Sequence, residues 1–109
     1  MIVSDETVSK ALQYLSEDPH PIALARKDAT DAENKAKEAF AKAVLEADGS
    51  VAVKEATATC DDSYKTAKTE EAQAIFELER HKARSRAADM ICEIWRTDNA
   101  NQRAAERVR

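Results

Sequence analysis

The chain has 109 residues with a formal net charge of −4, and 43% of its residues are hydrophobic but only 5% are aromatic. This length predicts one domain, and the net negative charge excludes a general electrostatic attraction to nucleic acid. No apolar run approaches the roughly 18 residues that a membrane span needs, and no basic-then-apolar signal is present, so we expect a cytosolic protein. Because alanine buries little area, we also expect self-association to complete a weak core.

Strong helix breakers are confined to three positions. The chain has a single glycine, Gly49, and two prolines, Pro19 and Pro21. The stretches between them are rich in Ala, Glu, Lys, Arg and Gln, which are good helix formers. The sequence therefore predicts an all-α protein with a few long helices.

The first predicted helix begins at Ser4 or Asp5, either of which can cap it, and ends near Glu17. One face is apolar at helical spacing, through Val8, Ala11, Leu12 and Leu15. The following segment 18–21 cannot continue the helix, because each proline disfavours helical geometry in the residue before it.

The second predicted helix begins at Pro21, which suits the first turn, and runs to about Ala47. It stops before Gly49, which can take the left-handed capping conformation. Its alanines recur at spacings of about 4, 3, 4, 3 and 4, the heptad pattern of a stripe that faces a partner helix. We call these residues the alanine seam: Ala25, Ala29, Ala32, Ala36, Ala39 and Ala43.

Two further helices are predicted. Ser50 can cap a short helix over 51–58, and a boundary at 60–63 precedes a long helix that reaches about Ala105. The apolar residues of the long helix form a main stripe of Ala72, Phe76, Ala83, Ala87, Met90 and Ile94. Others lie to one side (Tyr64, Ala67, Ile75 and Leu78) or to the other (Ile91 and Trp95). Either different helices pack on its two ends, or one side awaits an external partner.

The predicted fold is a single domain over residues 1–109. An antiparallel helical hairpin of 21–47 and 63–105 packs through the alanine seam, as in a coiled coil, and the two short helices cover its ends. A homo-oligomer is expected, with a dimer favoured, because a row of methyl groups holds two long helices only weakly.

The strongest basic run carries the cations Arg80, Lys82, Arg84 and Arg86. It suggests phosphate or acidic-partner contacts, which Lys and Arg make without reading sequence. These cations point to different sides of an ideal helix, and Glu77 and Glu79 can pair with them at helical spacing. A self-paired, solvated helix surface is therefore the competing interpretation.

The segment 94–103 holds the single tryptophan, Trp95, next to Arg96. Tryptophan and arginine together are typical of interface hot spots, although Trp95 could equally fill the core. The tail arginines, among them Arg107 and Arg109, complement the helix dipole in the simplest interpretation.

The C-terminal segment Glu93–Arg103, which follows a long charged helix, resembles the end of small helical proteins from the early, recombination-region gene clusters of temperate bacteriophages. The specific part of the resemblance is the Trp95–Arg103 element, which begins Trp-Arg-Thr-Asp-Asn-Ala. The resemblance implies a phage protein in the bacterial cytosol and brings no catalytic residues with it. It makes four residues candidates for partner contact: Trp95, Arg96, Asn99 and Arg103.

No motif of an enzyme, cofactor site or metal site is present. His20 and His81 are far apart and lack acidic partners at ligand spacing, and Cys60 and Cys92 have no CxxC spacing. We therefore expect no catalytic residue, no metal and no cofactor. The leading hypothesis is a non-catalytic accessory or adaptor protein of recombination or replication. The alternatives are an inhibitor of a host defence complex and direct nucleic-acid binding through the basic run and the C-terminal segment.

Overall fold

A computed structural model describes residues 3–108, so residues 1 and 2 and the predicted tail residue Arg109 lie outside the described part. The described residues form four α-helices and no strand, which confirms the predicted all-α fold. The helices are α1 (Asp5–Ser16), α2 (Pro21–Glu46), α3 (Val51–Thr59) and α4 (Asp62–Val108).

Side-chain caps and one glycine fix the helix boundaries. The Ser4 hydroxyl accepts a hydrogen bond from the Thr7 N–H at 3.2 Å, and Ser50 accepts one from Val53 at 3.3 Å. Each bond satisfies an N–H group that has no partner inside its helix. Gly49, between α2 and α3, has a φ of 115°, a conformation that side-chain-bearing residues rarely adopt.

The helices pack into two compact units, which we describe separately. Unit 1 comprises Met1–Pro21 and Arg80–Arg109, and unit 2 comprises Ile22–Glu79. Unit 1 therefore holds α1 and the later part of α4, while unit 2 holds most of α2, α3 and the beginning of α4. The expectation of a single domain over residues 1–109 stays a prediction.

In unit 2, α2 and α4 form the predicted antiparallel hairpin. The Phe40 and Tyr64 rings lie 5.2 Å apart between centroids, and earlier residues of α2 meet later residues of α4, as Glu33 does with Lys68. Four residues of the alanine seam are buried and two, Ala32 and Ala39, are half-buried. The buried side chains described in this unit are all alanines: Ala25, Ala29, Ala36, Ala43, Ala58 and Ala67.

In unit 1, α1 packs against α4 through a core that includes an aromatic side chain. Ala11, Tyr14 and Ala88 are buried together. The half-buried residues Leu15, Ile91 and Cys92 pack around them. Leu12, which the sequence places on the apolar face of the first helix, is exposed instead.

The main apolar stripe predicted on the long helix is not its packed face. Phe76 and Met90 are exposed, and so are the stripe's three alanines.

The less exposed positions of α4 follow a 3–4 spacing of their own in each unit. In unit 2 they include Ala67, Glu71, Ala74 and Leu78, and in unit 1 they include His81, Ser85, Ala88 and Cys92. The first alternative, that different helices pack on the two ends, is what the structure has: α2 packs on the unit 2 part and α1 on the unit 1 part.

Candidate protein-binding surfaces

An open groove of about 790 Å³ lies between α2 and α4 of unit 2. Every third or fourth residue of each helix faces it, because residues at this spacing share one side of an α-helix. From Arg26 to Phe40 the groove follows about 21 Å of α2, at 1.5 Å per residue. Its apolar lining is supplied by Ala29, Ala36, Phe40, Tyr64, Ile75 and Leu78.

Charged side chains of both signs border this groove. Lys68 forms an ion pair with Glu71 at 2.7 Å across one helical turn of α4. The hydrogen bond from Lys68 to Glu71 and the attraction between the two charges raise the pKa of Lys68, and Glu33 on α2 adds a smaller attraction. Arg26 and Lys37 also line the groove. The surface is thus an apolar floor with a polar rim, the arrangement of groove-type protein contacts.

The four residues proposed for partner contact lie together in unit 1. Trp95, Arg96, Asn99 and Arg103 line a shallow depression of about 420 Å³ with Gln102 and Glu106. All four line the same depression because they recur on one side of α4. Trp95 and Asn99 are half-buried, whereas Arg96 is exposed and pairs with Glu93 at 3.1 Å. Whether this side contacts a partner stays a prediction.

The structure distributes the basic run around α4. The Arg84 guanidinium lies 4.2 Å from the centre of the Tyr14 ring, a cation–π contact within unit 1. Arg80 and Lys82 also have interaction partners within the chain. Arg86 is exposed. The four cations therefore do not form a single basic face, and nucleic-acid contact by this run stays a prediction.

A polar cluster around Tyr14 in unit 1 was missed by the sequence reasoning. The Tyr14 side chain is only 3% exposed, and its hydroxyl donates a hydrogen bond to the carbonyl oxygen of His81 at 3.1 Å. The same hydroxyl lies 3.2 Å from Nδ1 of His81. Which of these two atoms donates depends on the tautomer of the His81 ring. His20 completes the cluster with an edge-to-face contact to Tyr14 at 5.1 Å.

Both histidines are half-buried against Tyr14, although 67 residues separate Tyr14 from His81. One sequence signal was available: Tyr14 follows Ala11 by three residues and therefore shares the apolar face of α1. A buried tyrosine needs a partner for its hydroxyl, but the pattern does not say which one.

Among residues 3–108, no three His, Cys, Asp or Glu side chains come close enough together to hold a metal ion. Cys60 is exposed and Cys92 half-buried, and both are free thiols. None of the helices described here combines the length and the hydropathy required to cross a bilayer.

Comparisons with protein-family models, with curated proteins and with solved structures give no match to this chain. The resemblance of residues 95–103 to phage proteins therefore stays a prediction.

Proposed function

We propose that this chain is a non-catalytic binding protein that holds an amphipathic helix of another protein in the groove between α2 and α4 of unit 2. The observation that carries the proposal is the contrast in unit 2 between its buried and its open apolar side chains. Its buried side chains are alanines, while Ile75 is 47% exposed and Phe40 and Tyr64 are half-buried at the groove. Large apolar side chains that remain open to solvent are available to a partner.

The dimensions of the groove support a helical ligand. Its length of about 21 Å corresponds to about four turns of an α-helix. In helix-in-groove recognition, the bound helix contributes apolar residues at every third or fourth position. The residues of α2 and α4 that line this groove recur at the same spacing. The rim of Arg26, Lys37 and Lys68 beside Glu33 and Glu71 favours a ligand helix with charges of both signs along its edges.

The finer parts of the proposal rest on the sequence. The resemblance of the Trp95–Arg103 element supports a role as an accessory protein in recombination or replication of a temperate bacteriophage, in the cytosol of its host. The chain is proposed to self-associate, with a dimer favoured. The depression around Trp95 in unit 1 would then be a second contact for the same partner or for another protein.

The experiment is a capture from cell lysate with the tagged full chain and with two matched variants. Ile75→Glu places a charge in the groove. Leu24→Glu places the same charge on α2 at a residue that is also 47% exposed but does not line the groove. We expect a protein that is retained by the wild-type chain and by Leu24→Glu but lost with Ile75→Glu. Equal retention by all three would reject the groove as the binding surface.

A further inference from the structure

We propose that a second copy of this chain packs antiparallel on the outward face of α4 in unit 1, centred on Met90. The outward face consists of Ala83, Ala87, Met90 and Ile94. This inference rests on the self-association in the proposed function and names the surface that produces it. The groove of unit 2 is left free for another protein.

The outward face has the spacing of a helix-pairing surface. Its four residues are 4, 3 and 4 positions apart, the spacing that keeps one stripe of a helix against a neighbour. Met90 is 64% exposed, Ala83 and Ala87 are exposed, and Ile94 is half-buried. Because two of these residues are alanines, a second helix can approach to the short end of the usual 8–10 Å separation.

Helix α1 does not occupy this face. It packs on Ala88, Ile91 and Cys92. At 3.6 residues per turn, Ala88 and Cys92 lie about 160° around α4 from Met90, and Ile91 lies about 100° from it. The contact with α1 therefore borders the outward face on the side of Ile91 but leaves Met90 open, so a second copy can reach Met90 without displacing α1.

Charge complementarity sets the orientation of the second copy. Arg86 and Glu93 lie on the same flank of the outward face, seven residues apart and almost equally far from Met90. An antiparallel pair centred on Met90 places Arg86 of each copy beside Glu93 of the other, which gives two opposite-charge contacts. A parallel pair would not form these contacts, because Arg86 of one copy and Glu93 of the other would then lie on opposite sides of the interface.

The first test is sedimentation equilibrium on the full chain. We expect a dimer for the wild-type protein and at least a tenfold larger dissociation constant for Met90→Glu. The control is Leu45→Glu, which places the same charge on an 84% exposed residue of unit 2 and should leave the dissociation constant unchanged. Circular dichroism checks that both variants keep their helix content, as expected for exposed positions.

The second test determines the orientation by cysteine cross-linking, in a background in which Cys60→Ser and Cys92→Ala remove the native thiols. Met90→Cys should form a disulfide-linked dimer, whereas Ala83→Cys should not, because antiparallel copies hold their two residues 83 about 21 Å apart along the helices. A charge exchange provides a third check. Arg86→Glu alone should weaken the dimer, and Arg86→Glu combined with Glu93→Arg should restore it.

Each unfavourable outcome overturns a defined part of the proposal. Cross-linking of both cysteine variants would mean a parallel pair, and a dimer that survives Met90→Glu would mean that another surface is used. A wild-type chain that stays monomeric at all concentrations would reject the self-association in the proposed function as well. Binding of another protein in the groove of unit 2 is tested separately by Ile75→Glu.

Discussion

The two units have cores of different chemistry. In unit 1, Tyr14 is buried with Ala11 and Ala88, and its hydroxyl reaches both the carbonyl oxygen and a ring nitrogen of His81. In unit 2, the buried side chains are alanines. Unit 1 therefore combines apolar burial with directional hydrogen bonds, while unit 2 relies on the close approach of two helices.

This difference has a consequence for how each unit specifies its structure. A hydrogen-bonded aromatic side chain fits one position along the neighbouring helix, so Tyr14 defines how α1 lies against α4. A row of equivalent methyl groups distinguishes poorly between neighbouring alignments, because each alanine resembles the next. We expect unit 1 to be sensitive to the loss of one residue and unit 2 to be sensitive to added volume.

The largest effect is expected from Tyr14→Ala. Removing a buried aromatic side chain costs about 3–5 kcal/mol in folding stability, and here the hydroxyl contacts to His81 are lost as well. Hydrogen exchange should show faster exchange in α1 and in the part of α4 that contacts it. Tyr14→Phe is the matched variant, and it should cost only about 1 kcal/mol for the hydrogen bonds. Equal losses for both variants would mean that ring burial contributes little.

Ala36→Leu is expected to have a smaller effect and to act in unit 2. Ala36 is buried in the alanine seam, and added methylene groups in a close-packed position cost about 1–3 kcal/mol. The control is Ala41→Leu, the same substitution at an exposed position of α2. Hydrogen exchange should increase in α2 for the first variant alone. A gain in stability from Ala36→Leu would show that the seam is underpacked.

Gly49→Ala tests the turn that brings α2 and α3 of unit 2 together. Gly49 has a φ of 115°, and an added Cβ would lie 3.0 Å from Cγ1 of Val53. Backbone strain and this contact together should cost about 1–2 kcal/mol, measured by urea unfolding. The double variant Gly49→Ala, Val53→Ala should recover only the part caused by the contact. Full recovery would mean that the backbone tolerates this conformation.

The smallest effect is expected at the rim of the groove. The pKa of Lys68 is raised above its ordinary value of 10.5 by its hydrogen bond to Glu71. Because the pKa is higher in the folded chain, this stabilisation is fully present below pH 10.5 and is lost as the pH rises through the folded pKa. Glu71→Gln should lower the Lys68 pKa in an NMR titration.

The matched probe for that titration is Lys27, whose pKa is raised by Asp31 instead. Its pKa should not change in Glu71→Gln. A shift at both lysines would point to a general electrostatic change in unit 2, and no shift at Lys68 would mean that the ion pair does not persist in solution.

The helix boundaries could be predicted from the sequence because they depend on local chemistry. The predicted second helix, Pro21 to about Ala47, differs by one residue from the observed Pro21–Glu46. The predicted helix over 51–58 is observed as Val51–Thr59 with the expected cap at Ser50. In both cases a proline, a glycine or a capping hydroxyl decides the end of the helix within a few residues.

The packed face of α4 could not be predicted in the same way. Apolar periodicity selects Phe76 and Met90, but these are exposed, while Glu71 and His81 are among the less exposed positions. The neighbouring helices determine this outcome, because α2 offers small alanines and α1 offers a tyrosine hydroxyl that needs a polar partner. The contact between Tyr14 and His81 joins residues 67 positions apart, so no short-range pattern contains it.

The candidate surfaces were predictable to different degrees. The four residues around Trp95 recur on one side of a helix, and the structure places them along one depression. The groove of unit 2 could not be predicted, because it depends on how residues of α2 and α4 come together. Arg84 illustrates the same limit, since its position over the Tyr14 ring follows from the packing of α1.

The location of the single indole gives the chain a built-in spectroscopic reporter. Trp95 belongs to unit 1 and is half-buried there, whereas unit 2 contains no tryptophan. Emission excited selectively at the indole therefore follows the melting of one unit, while circular dichroism averages over every helix. Coincident curves from the two signals would show that the units lose their structure in a single cooperative transition, and separated curves would give each unit its own melting temperature.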